Sequence, residues 1–157
     1  MTKPAALAAV PERSAQDAQA LAETVAAAMF ARDPASRGLG MTIDVIAPGY
    51  ARMSMTIRDD MLNGHGSCHG GFIFTLADSA FAFACNSYNL NTVGAGCTID
   101  YLAPGGLHDV LTATAVEQAL AGKSGVYDVK VSNQDGRTIA LFRGKSLRVS
   151  GEVVPQP

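Results

Sequence analysis

The fold of this chain is decided by residues 63–87, which read NGHGSCHGGFIFTLADSAFAFACNS. The stretch begins as a glycine-rich loop, and from about His69 it becomes an apolar run with one charged residue, Asp78. Its length and the lack of Gly or Pro after Gly71 favour a helix over about residues 69–87. Because the run is apolar all round, we expect this helix to be buried on all sides. A carboxylate is costly to bury, so Asp78 requires a partner or a function.

Composition narrows the class of protein. The chain has 157 residues, which suits one domain with a proper core. Charged residues make up only 17%, so part of the surface is expected to be covered by partner subunits, and the net charge of −2 argues against nucleic-acid binding. No apolar run approaches the ~20 residues that span a bilayer. Three cysteines without regular spacing favour the reducing cytoplasm over a disulfide-bonded secreted class.

The rest of the chain predicts strands and one more helix. Ser14, with Asp17 three residues later, is typical of a helix start, and Asp33-Pro34 of its end. Residues 41–57 alternate as a β-hairpin with a type II turn at Pro48-Gly49. Four further strands, expected as a meander, cover about residues 93–102, 109–120, 125–133 and 137–149.

This order predicts an α+β fold in which an antiparallel sheet of about six strands curls around one long central helix, with an extra N-terminal helix. We expect a single domain over residues 14–150. Residues 1–13 and 151–157 are predicted to be flexible tails.

The glycines at the helix start could bind an oxygen ligand. The first turn of a helix leaves N–H groups without partners, and Gly70 and Gly71 have no side chains to keep an oxyanion or polarised carbonyl away. The alternative is that these glycines only permit a tight entry into the helix.

Asp78 lies eight residues beyond Gly70, about 12 Å along one helix. One reacting carbon cannot touch both residues within one chain. Either they are unrelated, or two antiparallel helices at a dimer interface bring Gly70 of one chain to Asp78 of the other. Asp78 could act as a general base or as a nucleophile, with its pKa raised by apolar surroundings. The alternative is an Asp78 paired with an Arg, a Ser or a backbone N–H.

Two other residues of the loop are candidates. His69 could structure the helix start or donate to a bound water or carbonyl. Asn63 could hold a water for Asp78 or simply close a turn. The cluster of His65, Cys68 and His69 lacks zinc-site spacing and a fourth ligand, so no metal is predicted.

A basic turn stands further along the chain. Gly122, Lys123, Ser124 and Gly125 join two strands, and basic residues follow on the last one: Arg143, Lys145 and Arg148. Such a turn could hold the phosphates of a nucleotide-bearing substrate. An ordinary hairpin with solvated lysines is the alternative.

Residues 63–88 resemble the signature of the hotdog-fold acyl-CoA thioesterases, in particular the PaaI type of phenylacetate degradation. The segments CTIDYLAPG from Cys97, GKSGVYD from Gly122 and ALFRGKS from Ala140 are similar too. The resemblance implies a hotdog fold in a homotetramer, a dimer of dimers with active sites at the dimer interface. It implies hydrolysis of phenylacetyl-CoA or its ring-hydroxylated relatives. No metal or organic cofactor is implied, since coenzyme A is part of the substrate.

The resemblance also implies roles for residues. Asp78 is the base or nucleophile, the Gly70 N–H polarises the thioester carbonyl, and Asn63 and His69 support them. Coenzyme A is expected near the turn Gly122–Gly125 and the last strand, where Arg148 lies, with Gly71 and Tyr101 as further contacts.

One position departs from the family pattern. Some relatives carry a Ser or Thr on the strand after the helix that helps to place the attacking water, and that position falls near Gly94 here. Thr98 and Thr75 are the alternative hydroxyls.

Three other functions are compatible with the pattern. They are a non-catalytic acyl-CoA sensor, a thioesterase for medium-chain acyl-CoA, and a hydratase on the same fold. The HGG…D spacing fits the thioesterases better than a hydratase, and no DNA-binding segment favours a regulator.

Overall fold

The computed structural model describes residues 14–155, so the predicted tail at residues 1–13 lies outside the described residues. Within these described residues there are three α-helices: α1 (Ala15–Ala31), α2 (Pro34–Gly38) and α3 (Gly70–Asn86). Six strands follow the expected order: β1 (Thr42–Ala47), β2 (Tyr50–Thr56), β3 (Thr92–Tyr101), β4 (Val110–Ala121), β5 (Ser124–Ser132) and β6 (Thr138–Arg148). A short 3₁₀ turn, Asp59–Met61, precedes the glycine loop.

The six strands form one antiparallel sheet in the order β1-β2-β4-β5-β6-β3. The predicted four-strand meander is wrong in one respect, because β3 pairs with β6 at the sheet edge and β4 pairs with β2. Alternation of side chains tells which face of a strand is buried, but not which strand lies beside it. Among the described residues, no strand covers the outer side of β3.

The sheet curls around α3, as the predicted architecture requires. Alternate residues of β2, β4, β5 and β6 face the helix and are buried: Ala51, Met53, Met55, Leu111, Ala113, Ala115, Tyr127, Val129, Val131, Ala140 and Phe142. The inner face of α3 meets them through Ile73, Leu76, Ala77, Ala80, Phe81 and Ala84. This one core holds both ends of α3 in place.

The helix α3 is not buried on all sides, so that prediction is wrong for the single chain. Gly71 and Asp78 are exposed, and Phe74, Ser79 and Ala82 are only half-buried. An apolar helix face left open in one chain is a surface that a partner can cover.

The N-terminal region packs against α3 and β1. As predicted, Ser14 caps α1, accepting the Asp17 N–H at 3.1 Å. Helix α2 was not predicted; Asp33 caps it and Pro34 begins it, a favourable first position for proline. The Ser36 hydroxyl lies 3.2 Å from that of Ser79, which ties α2 to α3.

The end of the described chain is held in place rather than loose. The Asn89 side chain bonds both the N–H and the carbonyl of Val154 at 2.9 Å, and Arg32 donates to the Val153 carbonyl. The folded unit thus extends past residue 150 to Val154, while residues 156–157 lie outside the described range. None of the described helices is long and apolar enough to cross a membrane.

Candidate active site

The loop before α3 is closed by the side chain of Asn63. Its Oδ1 accepts the N–H groups of His65 at 2.9 Å and Ser67 at 3.3 Å, and its Nδ2 donates to the Ser67 hydroxyl at 3.2 Å. These bonds support the turn-closing alternative for Asn63. The loop they hold leads directly into α3.

The start of α3 leaves one N–H group without a partner. The Nδ1 of His69 accepts the Gly71 N–H at 3.0 Å, and the Phe72 N–H donates to the His69 carbonyl at 3.0 Å. Within residues 14–155 the Gly70 N–H has no acceptor. The expectation that both glycines offer a donor to a ligand is therefore corrected: only Gly70 does, and His69 is the cap that occupies Gly71.

Asp78 opens into a cavity of about 330 Å³ between α3 and β3. The other lining residues are apolar or small: Phe74, Phe81, Ala82, Gly94, Gly96 and Cys97. Asp78 has no hydrogen bond or ion pair with any described residue, so the alternative of a paired structural Asp78 is not seen. Although its side chain is exposed, desolvation by these neighbours raises the pKa of Asp78. An unpaired carboxylate with a raised pKa is suited to general-base work.

Gly70 opens into a different cavity, of about 420 Å³, at the carboxyl end of β3. Its wall includes Ile73 and Tyr101 but not Asp78. The two candidate residues thus stand on one helix, Gly70 at its first residue and Asp78 at its middle, and they face separate cavities. The single chain does not bring them together, as the eight-residue spacing predicts.

The edge strand β3 runs past both cavities and is open along its length. Residues 93–98 are all exposed, and Val93 is 46% exposed. A β-bulge between Gly94 and Gly96 interrupts the pairing with β6 beside the Asp78 cavity. Long unprotected edges are rare in monomers, because they can pair with another chain.

The predicted basic turn joins β4 and β5. Gly122 has φ +61°, as the first central residue of a type II′ turn, and the Lys123 carbonyl accepts the Arg148 N–H at 2.7 Å. Gly125 is buried; a β-carbon there would stand 2.6 Å from the Ser146 hydroxyl. Of the basic strand residues, Arg143 is paired with Asp128 at 2.6 Å. None of the four turn residues lines the cavities of Gly70 or Asp78.

Comparison with known proteins decides the family. The sequence model of one protein family, the thioesterase superfamily, matches residues 65–140 of this chain. Acyl-coenzyme A thioesterase PaaI of Escherichia coli K12 is 49% identical over 126 residues, which cover 80% of this chain and 90% of that protein. This chain belongs to the thioesterase superfamily. Its resemblance to the PaaI type is confirmed, and it is a thioester hydrolase.

Solved structures of other thioesterases agree. The E. coli PaaI protein from the phenylacetic acid degradation operon matches with a TM-score of 0.84 and 48% identity, covering 85% of this chain and 97% of that one. A Streptococcus pneumoniae TIGR4 hypothetical thioesterase with coenzyme A matches with a TM-score of 0.69 and 28% identity, over 71% and 88% of the two chains. The predicted hotdog fold is therefore confirmed.

Sequence reasoning missed two features of this thioesterase. Tyr101 was expected only as a substrate contact, yet its hydroxyl donates to the Gly70 carbonyl at 3.0 Å. Phe81 lies against Gly94 and Gly144, and its ring packs on Tyr127 and Phe142. The only signals in the sequence were the glycines themselves, which mark close approach without naming the partner.

Two of the three cysteines, Cys68 and Cys85, are buried and poorly suited to nucleophilic chemistry, whereas Cys97 is exposed. Burial raises the pKa of the Cys68 thiol to about 11 and that of Cys85 to about 12, which opposes a nucleophilic thiolate. In residues 14–155 no three His, Cys, Asp or Glu side chains are arranged to hold a metal ion.

Proposed function

We propose that this thioesterase hydrolyses acyl-CoA, with phenylacetyl-CoA or its ring-hydroxylated relatives as the substrate. The name of the E. coli relative and the coenzyme A in the S. pneumoniae structure support the acyl-CoA class. The operon of the E. coli protein and the aromatic wall of the Asp78 cavity support an aryl group, since the half-buried Phe74 can pack on it.

The active site is composite and forms between two chains. The observation that carries this proposal is that the free Gly70 N–H and the unpaired Asp78 open into separate cavities along one open strand edge. A two-fold axis beside β3 would set two α3 helices antiparallel, so that each Gly70 meets the partner's Asp78. Each dimer then holds two identical sites.

In this site the Gly70 N–H stabilises the oxyanion that forms on the thioester carbonyl. Water attacks the carbonyl carbon while Asp78 takes its proton, the C–S bond breaks, and the coenzyme A thiolate leaves and is protonated. Alternatively, Asp78 attacks the thioester carbonyl, the C–S bond breaks, and the coenzyme A thiolate leaves and is protonated. Water then hydrolyses the mixed anhydride, which releases the acid and restores the Asp78 carboxylate. His69 holds the helix start and Asn63 the loop, so both keep the Gly70 N–H in place.

Coenzyme A is proposed to lie along the turn Gly122–Gly125 and the end of β6. Lys123 supplies a charge for its phosphates, the glycine turn allows close approach, and Arg148 lies at the adjoining strand end. Ser124 adds a hydroxyl at the same turn. No separate cofactor is needed, because all the groups that the hydrolysis uses belong to protein, substrate or water.

Two dimers are proposed to pair as a tetramer through the outer sheet face. Val116 and Leu141 are exposed there beside the Asp128–Arg143 pair, in a concave region of about 870 Å³. Three free thiols agree with the reducing cytoplasm as the location of the enzyme.

Complementation between two inactive variants tests the composite site. Asp78→Asn removes the base, and Gly70→Val places a side chain against the Tyr101 ring. When equal amounts of the two chains assemble, half of the dimers are mixed and each mixed dimer has one intact site, which gives about one quarter of wild-type activity. No activity in the mixture would overturn the shared site. Each variant alone serves as the inactive control, with circular dichroism to show that it is folded.

The acyl group is tested separately with a thiol reagent that detects released coenzyme A. Phenylacetyl-, hydroxyphenylacetyl-, benzoyl- and straight-chain CoA esters form the panel. The highest kcat/KM is expected for the phenylacetyl esters. A preference for medium-chain esters would overturn the aryl assignment, and tight binding without release would favour a sensor.

A further inference from the structure

Tyr101, the last residue of β3, lies directly on the first residue of α3. Its hydroxyl donates to the Gly70 carbonyl at 3.0 Å, and its ring atoms would stand 3.1–3.3 Å from a β-carbon on Gly70. The ring is 51% exposed, so burial in the core does not explain its position. The contact joins the sheet edge to the donor that the proposed mechanism uses.

The peptide group between Gly70 and Gly71 is held at both of its ends. Its carbonyl accepts from the Tyr101 hydroxyl, and its N–H donates to His69 Nδ1. Two consecutive glycines would otherwise have wide freedom in φ and ψ. The Gly70 N–H belongs to the preceding peptide, whose carbonyl accepts the Phe72 N–H at 3.0 Å. Because the peptides on both sides of Gly70 are held, rotation about its φ, which would turn the N–H, is restricted.

The two hydrogen bonds also reinforce each other. A donor on the carbonyl of a peptide polarises its N–H, which strengthens the bond that the N–H makes. Tyr101 therefore strengthens the His69 cap through the shared peptide. An oxyanion donor is effective only when it is aimed before the charge develops, so this arrangement serves the transition state.

We propose that Tyr101 is a positioning residue for thioester hydrolysis, which orients the Gly70 N–H through the Gly70–Gly71 peptide. The proposal rests on the proposed role of Gly70. It differs from a substrate contact in its effect, because a contact with coenzyme A would act on KM, whereas aim of the oxyanion donor acts on kcat.

The first test is the steady-state kinetics of Tyr101→Phe with phenylacetyl-CoA. This variant keeps the ring and removes one hydrogen bond, so kcat should fall about 3- to 10-fold while KM stays within about twofold. Tyr101→Leu, which also removes the ring, should lose more. Tyr50→Phe on β2 is the matched control, since three strands separate β2 from β3, and it should keep the wild-type kcat. An unchanged kcat, or a loss confined to KM, in Tyr101→Phe would overturn the proposal.

The second test reads the carbonyl directly. The infrared band of a ¹³C-labelled phenylacetyl-CoA carbonyl is measured bound to Asp78→Asn and to Asp78→Asn with Tyr101→Phe. On binding to the single variant, the carbonyl band should shift to a lower wavenumber than in free substrate. In the double variant this shift should be smaller. An equal shift in both variants would refute the role of Tyr101 but leave the role of Gly70 standing. If the wavenumber of the band in Asp78→Asn equals that of free substrate, the role of Gly70 is refuted, and the positioning role of Tyr101 is refuted with it.

Discussion

A β-carbon on Gly144 of β6 would stand 2.9 Å from the ring of Phe81, which is closer than side chains pack. Phe81 is 2% exposed and is wedged against Tyr127 and Phe142, so its ring cannot move aside. The same position on Gly94 of β3 would be 3.5 Å from Phe81, an ordinary contact. One buried ring thus constrains two glycines to different degrees.

We expect Gly144→Ala to destabilise the enzyme by about 1–3 kcal/mol through overpacking. Gly94→Ser should change stability by less than about 0.5 kcal/mol. It also places a hydroxyl beside the Asp78 cavity, where it can hold the attacking water, so kcat should rise. Urea unfolding and phenylacetyl-CoA hydrolysis measure the two effects. Equal stability of the two variants would contradict the packing argument, and a lower kcat in Gly94→Ser would contradict the water-placing role of that hydroxyl.

The raised pKa of Asp78 should appear in the pH dependence of hydrolysis. The loss of activity in acid should begin at a higher pH than it would with an ordinary carboxyl group as the base. The base must be ionised, and desolvation raises its pKa, so kcat/KM falls as the pH drops through that raised value. Asp78→Asn should lose nearly all activity and keep its assembly. Hydrolysis between pH 3 and 8, followed by released coenzyme A, measures this; a flat profile over the acid range would contradict it.

The same shift predicts the stability of Asp78→Asn. Below the ordinary carboxyl pKa, Asp78 is protonated in both folded and unfolded states; as the pH rises through the raised pKa, the folded protein must accept the charge and loses stability. The variant should therefore melt above the wild type at pH 7 and level with it in acid. Asp128→Asn is the control of opposite sign, because Arg143 lowers the pKa of Asp128 and stabilises its ionised form at neutral pH. A lower melting temperature for Asp78→Asn at pH 7 would refute this.

His69 should act first as a helix cap. His69→Ala removes the acceptor of the Gly71 N–H and should cost about 1 kcal/mol of unfolding free energy, together with much of kcat. His69→Asn restores a capping oxygen and should recover the stability, but only part of kcat, since it lacks the second ring nitrogen. Thermal unfolding and kinetics of both variants decide between the roles. Wild-type stability in His69→Ala would rule out the cap.

The open edge of β3 should hold the dimer together. Val93→Lys puts a charge on this edge and should shift the enzyme toward monomers, with activity at least roughly tenfold lower. Val45→Lys on β1, at the other edge of the sheet, is the matched control and should remain assembled and active. Sedimentation equilibrium reports the assembly. A fully active monomer of Val93→Lys would contradict both the interface and the shared site.

Local signals predicted the elements well because each depends on near neighbours in the chain. Ser14 caps α1, Gly49 has the positive φ of a type II turn, and Gly136, also with a positive φ, lies between the predicted strands 125–133 and 137–149. The short helix at Pro34 was missed, because Asp33-Pro34 ends one helix and begins the next. Residues 151–157 are predicted to be a flexible tail, but Asn89 holds Val154, which lies 65 positions further along the chain.

The sequence by itself determined the succession of helices and strands and the distance between Gly70 and Asp78, because rise per residue is a property of any α-helix. Only the tertiary structure decided that β3 lies at the sheet edge, that α3 has an open face, and that Tyr101 holds Gly70. These features depend on which strands pair and on contacts between residues 31 positions apart, which no local pattern encodes. The separation of Gly70 and Asp78 along one helix follows from the sequence, while the direction of the Gly70 N–H follows from the fold.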